Sequence, residues 1–139
     1  MSIAQFLTRK PVSARLNDTL AMVAKLMKKE NVGAIVIGEA NRPVGIITDR
    51  DLALAVCSGE SSPSDPVRNL MTCPVETIAD DAGIYRAAQR MMELAVRRLP
   101  VVDKNGSLVG LISLDDLLQL ISHELQYMAE GVRAETAAV

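Results

Sequence analysis

Apolar residues along this chain follow two alternating rhythms. Leu20, Val23 and Met27 recur at the spacing of one helical face, and Asp18 or Thr19 just ahead of them suits an N-cap, so a helix is predicted from there to about Lys29. Ala34 to Ile37 and Val44 to Ile47 are short runs rich in β-branched residues on either side of Glu39-Ala-Asn-Arg-Pro43, and should pair as a hairpin. A second helix is predicted from near Asp49 to about Cys57. The same succession then returns. Ile84, Ala87, Ala88 and Met91 make a helical stripe, and Leu99 to Val102 and Leu108 to Ile112 flank Asp103-Lys-Asn-Gly106 as strands. A last helix starts after Ser113, with Leu114, Leu117, Leu118, Ile121, Leu125 and Met128 along one side. Short extended segments, Pro11 to Ala14 and Pro74 to Ile78, should open the two copies, and from Tyr127 onward the pattern reads as a helix end fraying into a mobile tail.

The two halves match residue by residue. Gly45-Ile-Ile-Thr48-Asp-Arg-Asp51 lies over Gly110-Leu-Ile-Ser113-Leu-Asp-Asp116, and the offsets 110−45, 113−48 and 116−51 all equal 65. Gly33 to Ile37 overlies Arg98 to Val102 at the same offset, while Met27 overlies Met91 with one residue less, a slip that the helix–strand loop absorbs. Cys57 to Pro66 is dense in Ser, Pro and Gly and reads as a linker. The organisation expected is therefore a first repeat with its linker over 1–66, a second repeat over 67–125, and a helix end and tail over 126–139. A copy of about 60 residues buries too little apolar surface to stand alone, so the two should pack together.

Composition narrows the function. With 49% hydrophobic and 23% charged residues the chain is expected to fold rather than stay disordered. Aromatics are only 2% and Trp is absent, so Ile, Leu, Val, Ala and Met must build the core, and the stacking platforms of a single-strand nucleic-acid binder are missing. Met27, Met91, Met92 and Met128 read as core filler. A net charge of −2 gives no long-range pull toward DNA, RNA or an anionic membrane. No apolar run approaches the roughly 18 residues of a membrane span, and MSIAQFLTRK lacks a signal peptide's apolar stretch, so the cytoplasm is expected. Cys57, Cys73 and the one histidine, His123, do not have metal-site spacing. His123 reads as a surface residue of the last helix, and the cysteines as reduced thiols. With one histidine and no general-base candidate in a distinctive context, no Ser/His/Asp or Cys/His set is assembled, and no phosphate loop is present, so an enzyme is not expected.

The tandem β-α-β-β-α order, with glycine, two apolar residues, Thr or Ser, two residues and Asp written twice, resembles the paired cystathionine β-synthase (CBS) repeats known as a Bateman module. The likeness runs from about Pro11 to about Leu125. It implies an α+β fold in which two repeats pack with pseudo-two-fold symmetry into one CBS-pair domain. It also implies a pair of clefts, each combining the Thr/Ser–Asp motif of one repeat with the opening strand and hairpin start of the other. Carried over by position, one cleft would hold Thr48 and Asp51 facing Val75, Thr77, Ile78, Arg97, Arg98, Leu99 and Pro100. The other would hold Ser113 and Asp116 facing Val12, Ser13, Ala14, Gly33 and Ala34.

Chemistry gives these positions their roles. An ionised Asp accepts from both ribose hydroxyls, making Asp51 and Asp116 ribose readers. A hydroxyl at Thr48 or Ser113 sits where helix N–H groups also favour a phosphate. Ile46, Ile78 and Leu99 would flank an adenine. Arg97 and Arg98 occupy the place where the family often carries phosphate-facing bases, whereas the first repeat has Val32 and Gly33 there, so the Asp51 cleft is the preferred site on sequence grounds. The resemblance thus implies a regulatory sensor of AMP, ADP, ATP or another adenosyl compound, in which energy sensing requires no resident cofactor or metal. Such a chain would form a homodimer and act on an effector protein. The alternative is a ligand-free scaffold that uses the same fold to hold a partner.

Overall fold

A computed structural model describes residues 2–7 and 11–138 of the chain. Each half builds one three-stranded sheet with helices against it. The first contains β1 (Ser13–Ala14), α1 (Leu20–Glu30), β2 (Ala34–Glu39), β3 (Arg42–Thr48) and α2 (Asp49–Cys57). The second contains β4 (Ile78–Ala79), α3 (Ile84–Leu94), β5 (Arg98–Val102), β6 (Leu108–Ser113) and α4 (Leu114–Ala137). Both sheets have the same topology: a short first strand pairs parallel to the central strand, which pairs antiparallel to the third. The α+β repeat written in the sequence is therefore the repeat of the fold.

Local chemistry sets the element ends. Thr19 caps α1, its side chain accepting from the Met22 N–H, and α1 stops at Asn31, whose left-handed backbone sends its N–H back to the Met27 carbonyl. The β2–β3 hairpin is tighter than the sequence suggested. Glu39 pairs directly with Arg42, leaving Ala40 and Asn41, both at positive φ, as a two-residue turn, so Pro43 lies inside β3 rather than in a loop. In the second hairpin Asp103 Oδ1 accepts from Asn105 N–H at 2.8 Å and Ser107 N–H at 3.0 Å, and Gly106 takes the positive φ. Pro100 sits in the central strand of the second sheet, where β4 pairs only with Val101 and Val102.

Each repeat has its own core, and each core is completed by a segment from elsewhere in the chain. Leu20, Val23, Met27, Ile35, Ile37, Ile47 and Leu52 enclose Val67 in the first. Ile78, Ala87, Met91, Leu99, Val101, Ile112 and Leu117 enclose Ile3 in the second. The 3₁₀ turn Ile3–Phe6 crosses to the second repeat, where Ile3 and Ala4 donate to the carbonyls of Ala82 and Asp80 at 2.8 and 3.0 Å. The 3₁₀ turn Val67–Asn69 and the residues after it lie on the first repeat, where Thr72 exchanges two backbone bonds with Ile46. This crossing ties the halves together.

The motif glycines now have a physical reason. A Cβ on Gly45 would stand 2.5 Å from Met71 Sδ and 3.0 Å from the Thr72 carbonyl, and one on Gly110 would stand 2.6 Å from Leu7 Cδ2. Each glycine lets the opposite repeat's incoming segment lie flat on its strand. Gly45→Ala is accordingly expected to lower stability by about 1–3 kcal/mol through overpacking, read from the shift in a urea midpoint.

Two expectations from the pattern are corrected by packing. Met27 and Met91 are core residues, but Met92 and Met128 are 75% and 64% exposed and fill nothing. Of the apolar stripe on α4 only Leu117 is buried, because the helix leaves the second repeat after about Leu120 and runs in regular form to Ala137 with every described residue from Ile121 onward exposed. The segment from Tyr127 to Ala137 is thus helix rather than frayed tail.

Candidate functional site

The repeated Ser/Thr–Asp motif proves to be a pair of capping boxes. Thr48 Oγ1 accepts from the Asp51 N–H at 3.2 Å and Asp51 Oδ2 accepts from the Thr48 N–H at 2.9 Å; Ser113 and Asp116 do the same at 3.1 and 2.8 Å. The box engages one oxygen of each carboxylate and leaves Oδ1 free to accept elsewhere. It also fixes both side chains on the first turn of their helices, where backbone N–H groups have no helical partner.

The Ser113–Asp116 motif opens onto a cavity. A hollow of about 670 Å³ is walled by Ser113, Asp116, Gln119, Leu120 and His123 from the start of α4, and by Arg98, Leu111 and Ile112 from β5 and β6. The first repeat closes it with Val12, the α1–β2 turn from Asn31 to Ala34, and Phe6, Leu7 and Pro11 from the N-terminal segment. Residues 113, 116, 120 and 123 recur at helical spacing, so one face of α4 forms the wall. Arg98 reaches it because its backbone pairs with Ser113 across the β5–β6 ladder. Arg98 and Asp116 are the two fully charged side chains among the described lining residues, and they form no ion pair with each other.

Val12, Gly33, Ala34, Ser113 and Asp116 therefore line one cavity. Ser13 and Ala14 are not part of this cavity. Strand alternation buries Ala14 in the first core and turns Ser13 outward, and both line a separate hollow of about 810 Å³ with Arg15, Glu39 and Arg42. Thr48 and Asp51, both half-buried, line neither hollow. Val75 donates to the Val44 carbonyl at 3.2 Å at the edge of the first sheet, and Thr77 is half-buried beyond it. Ile78, Leu99 and Pro100 are buried in the second repeat.

The two arginines part company. Arg97 Nη2 lies 3.2 Å from Asp115 Oδ1 in an exposed pair, and its carbonyl accepts the Leu114 N–H. Arg98, expected opposite Asp51, makes no ion pair with it and stands on the wall of the Asp116 cavity. The sequence reading missed Phe6, Leu7, Gln119, Leu120 and His123. Continuing the helical spacing from Ser113 and Asp116 would have found the last three, whereas Phe6 and Leu7 come from a crossing that no local pattern announces.

A family profile for the CBS domain matches the chain twice, over residues 3–58 and 67–123. The chain belongs to the CBS-domain family. Each matched stretch begins at a crossing segment, so in this CBS pair the segment that opens a repeat in sequence packs on the other repeat in space. A CBS domain protein from Pyrobaculum aerophilum solved with AMP is 30% identical and superimposes with a TM-score of 0.77 over 88% of this chain and 99% of its own. The CBS domain pair of protein MJ0100, solved with 5′-methylthioadenosine and S-adenosyl-L-methionine, is 26% identical with a TM-score of 0.79 over 89% and 98%. An uncharacterized protein of Methanopyrus kandleri is 34% identical over 122 residues, which cover 86% of this chain and 62% of that one. The CBS pair thus spans about three-fifths of that relative's length. Among the described residues no helix is long and apolar enough to cross a membrane, and no group of three or more His, Cys, Asp or Glu could hold a metal ion.

Proposed function

We propose that this CBS pair is a regulatory module that binds an adenosine-containing ligand in the cleft between its repeats, with Asp116 on the ribose and Arg98 on the phosphate side. The observation that carries this reading is the inter-repeat cavity into which one capping-box aspartate and one arginine both open. Its volume falls in the range of small-molecule sites. Asp116 Oδ1 is free to accept from vicinal hydroxyls. Two structural relatives, solved with AMP and with methylthioadenosine and S-adenosylmethionine, support the adenosyl class. AMP, ADP and ATP are the proposed ligands, which would make the module a reporter of energy state acting through an interface with a second copy or an effector. No catalytic step is assigned.

Calorimetry with AMP, ADP, ATP, NAD and S-adenosylmethionine tests this. At least one is expected to bind with saturable heat. Silence across all five would favour the scaffold reading, for which the exposed apolar residues Leu118, Ile121, Leu125 and Met128 of α4 are the supporting observation.

A further inference from the structure

His123 was expected to be an ordinary surface residue, yet it lines the inter-repeat cavity two turns beyond Asp116. The rise of an α-helix separates the two by about 10 Å along the axis, enough for one to meet a sugar while the other meets a distant group of the same ligand. Ligand polarity decides which group. A purine belongs where the wall is apolar and enclosed, beside Val12, buried Ala34 and buried Ile112. The charged end belongs at the open rim, and His123 is exposed there. Imidazole is the one further side chain of the described wall that can carry positive charge or donate a ring N–H to a phosphate oxygen, with Arg98 on the opposing strand.

Resting on the adenosyl reading above, we infer that His123 is a specificity residue of this site: it meets the ligand's phosphate at the cavity rim and separates phosphorylated from unphosphorylated adenosyl compounds. The family match ends at residue 123, two turns past the shared Ser–Asp motif, so this contact belongs to the part of the wall that the motif does not define.

Because His123 is the sole histidine of the sequence, its imidazole carbon-bound protons give unique resonances. On titration with AMP they are expected to shift saturably, with the midpoint that calorimetry gives for AMP, and to move far less with adenosine. His123→Ala, at an exposed helix position, should fold and should weaken AMP by about tenfold while leaving adenosine affinity unchanged. Binding of AMP by calorimetry with a stationary imidazole and an unchanged AMP-to-adenosine ratio in His123→Ala would overturn the inference and leave the adenosyl site standing. Absence of any calorimetric binding in the wild type would overturn both.

Discussion

Ile3→Ala is expected to destabilise the protein by about 2–5 kcal/mol, although it changes the third residue of the chain. The side chain is fully buried among Ile78, Met91, Leu99 and Ile112, and the backbone beside it donates to Ala82 and Asp80. Truncation leaves a cavity in the second core and weakens the latch by which the N-terminus crosses over. Urea unfolding followed by circular dichroism measures it. Gln5→Ala in the same turn, exposed, should stay within about 0.5 kcal/mol of wild type. Equal midpoints for the two variants would mean that the crossing contributes nothing.

Asp116→Ala should lower affinity for the bound adenosine compound tenfold to a hundredfold, the loss of hydrogen bonds to a charged acceptor worth roughly 1.5–3 kcal/mol. It also breaks a capping box, so stability alone cannot show why binding falls. Asp51→Ala supplies the control. It breaks the matching box on α2, yet Asp51 lines neither cavity. Both variants should therefore lose similar stability, and only Asp116→Ala should lose affinity. Calorimetry on both decides it, and a loss confined to Asp51→Ala would move the site to the cleft that the sequence had favoured.

That preference shows what a sequence of this kind discloses. The two 65-residue-spaced motifs and the helix starts follow from local periodicity and turn chemistry and appear where expected. The first hairpin, by contrast, is tighter, and the one-residue slip falls within the hairpins, because Ala34 pairs with Thr48 as Arg98 pairs with Ser113. Capping by Thr48 and Ser113 was equally local. What was not visible depends on distant partners. Ile3 and Val67 are single apolar residues in short segments, with no period to reveal that each completes the other repeat's core. Arg98 was assigned to the Asp51 cleft by its position in the motif, whereas its ladder pairing with Ser113 brings it to the Asp116 cavity. The apolar stripe on α4 predicted a buried face, but burial needs a partner surface and the body of the protein ends before Ile121.

A crystal of the protein grown with AMP would locate the ligand directly. Density is expected in the cavity between the repeats, with both ribose hydroxyls on Asp116 and the phosphate between Arg98 and His123. Clear density elsewhere, or ribose hydroxyls directed away from Asp116, would contradict this placement.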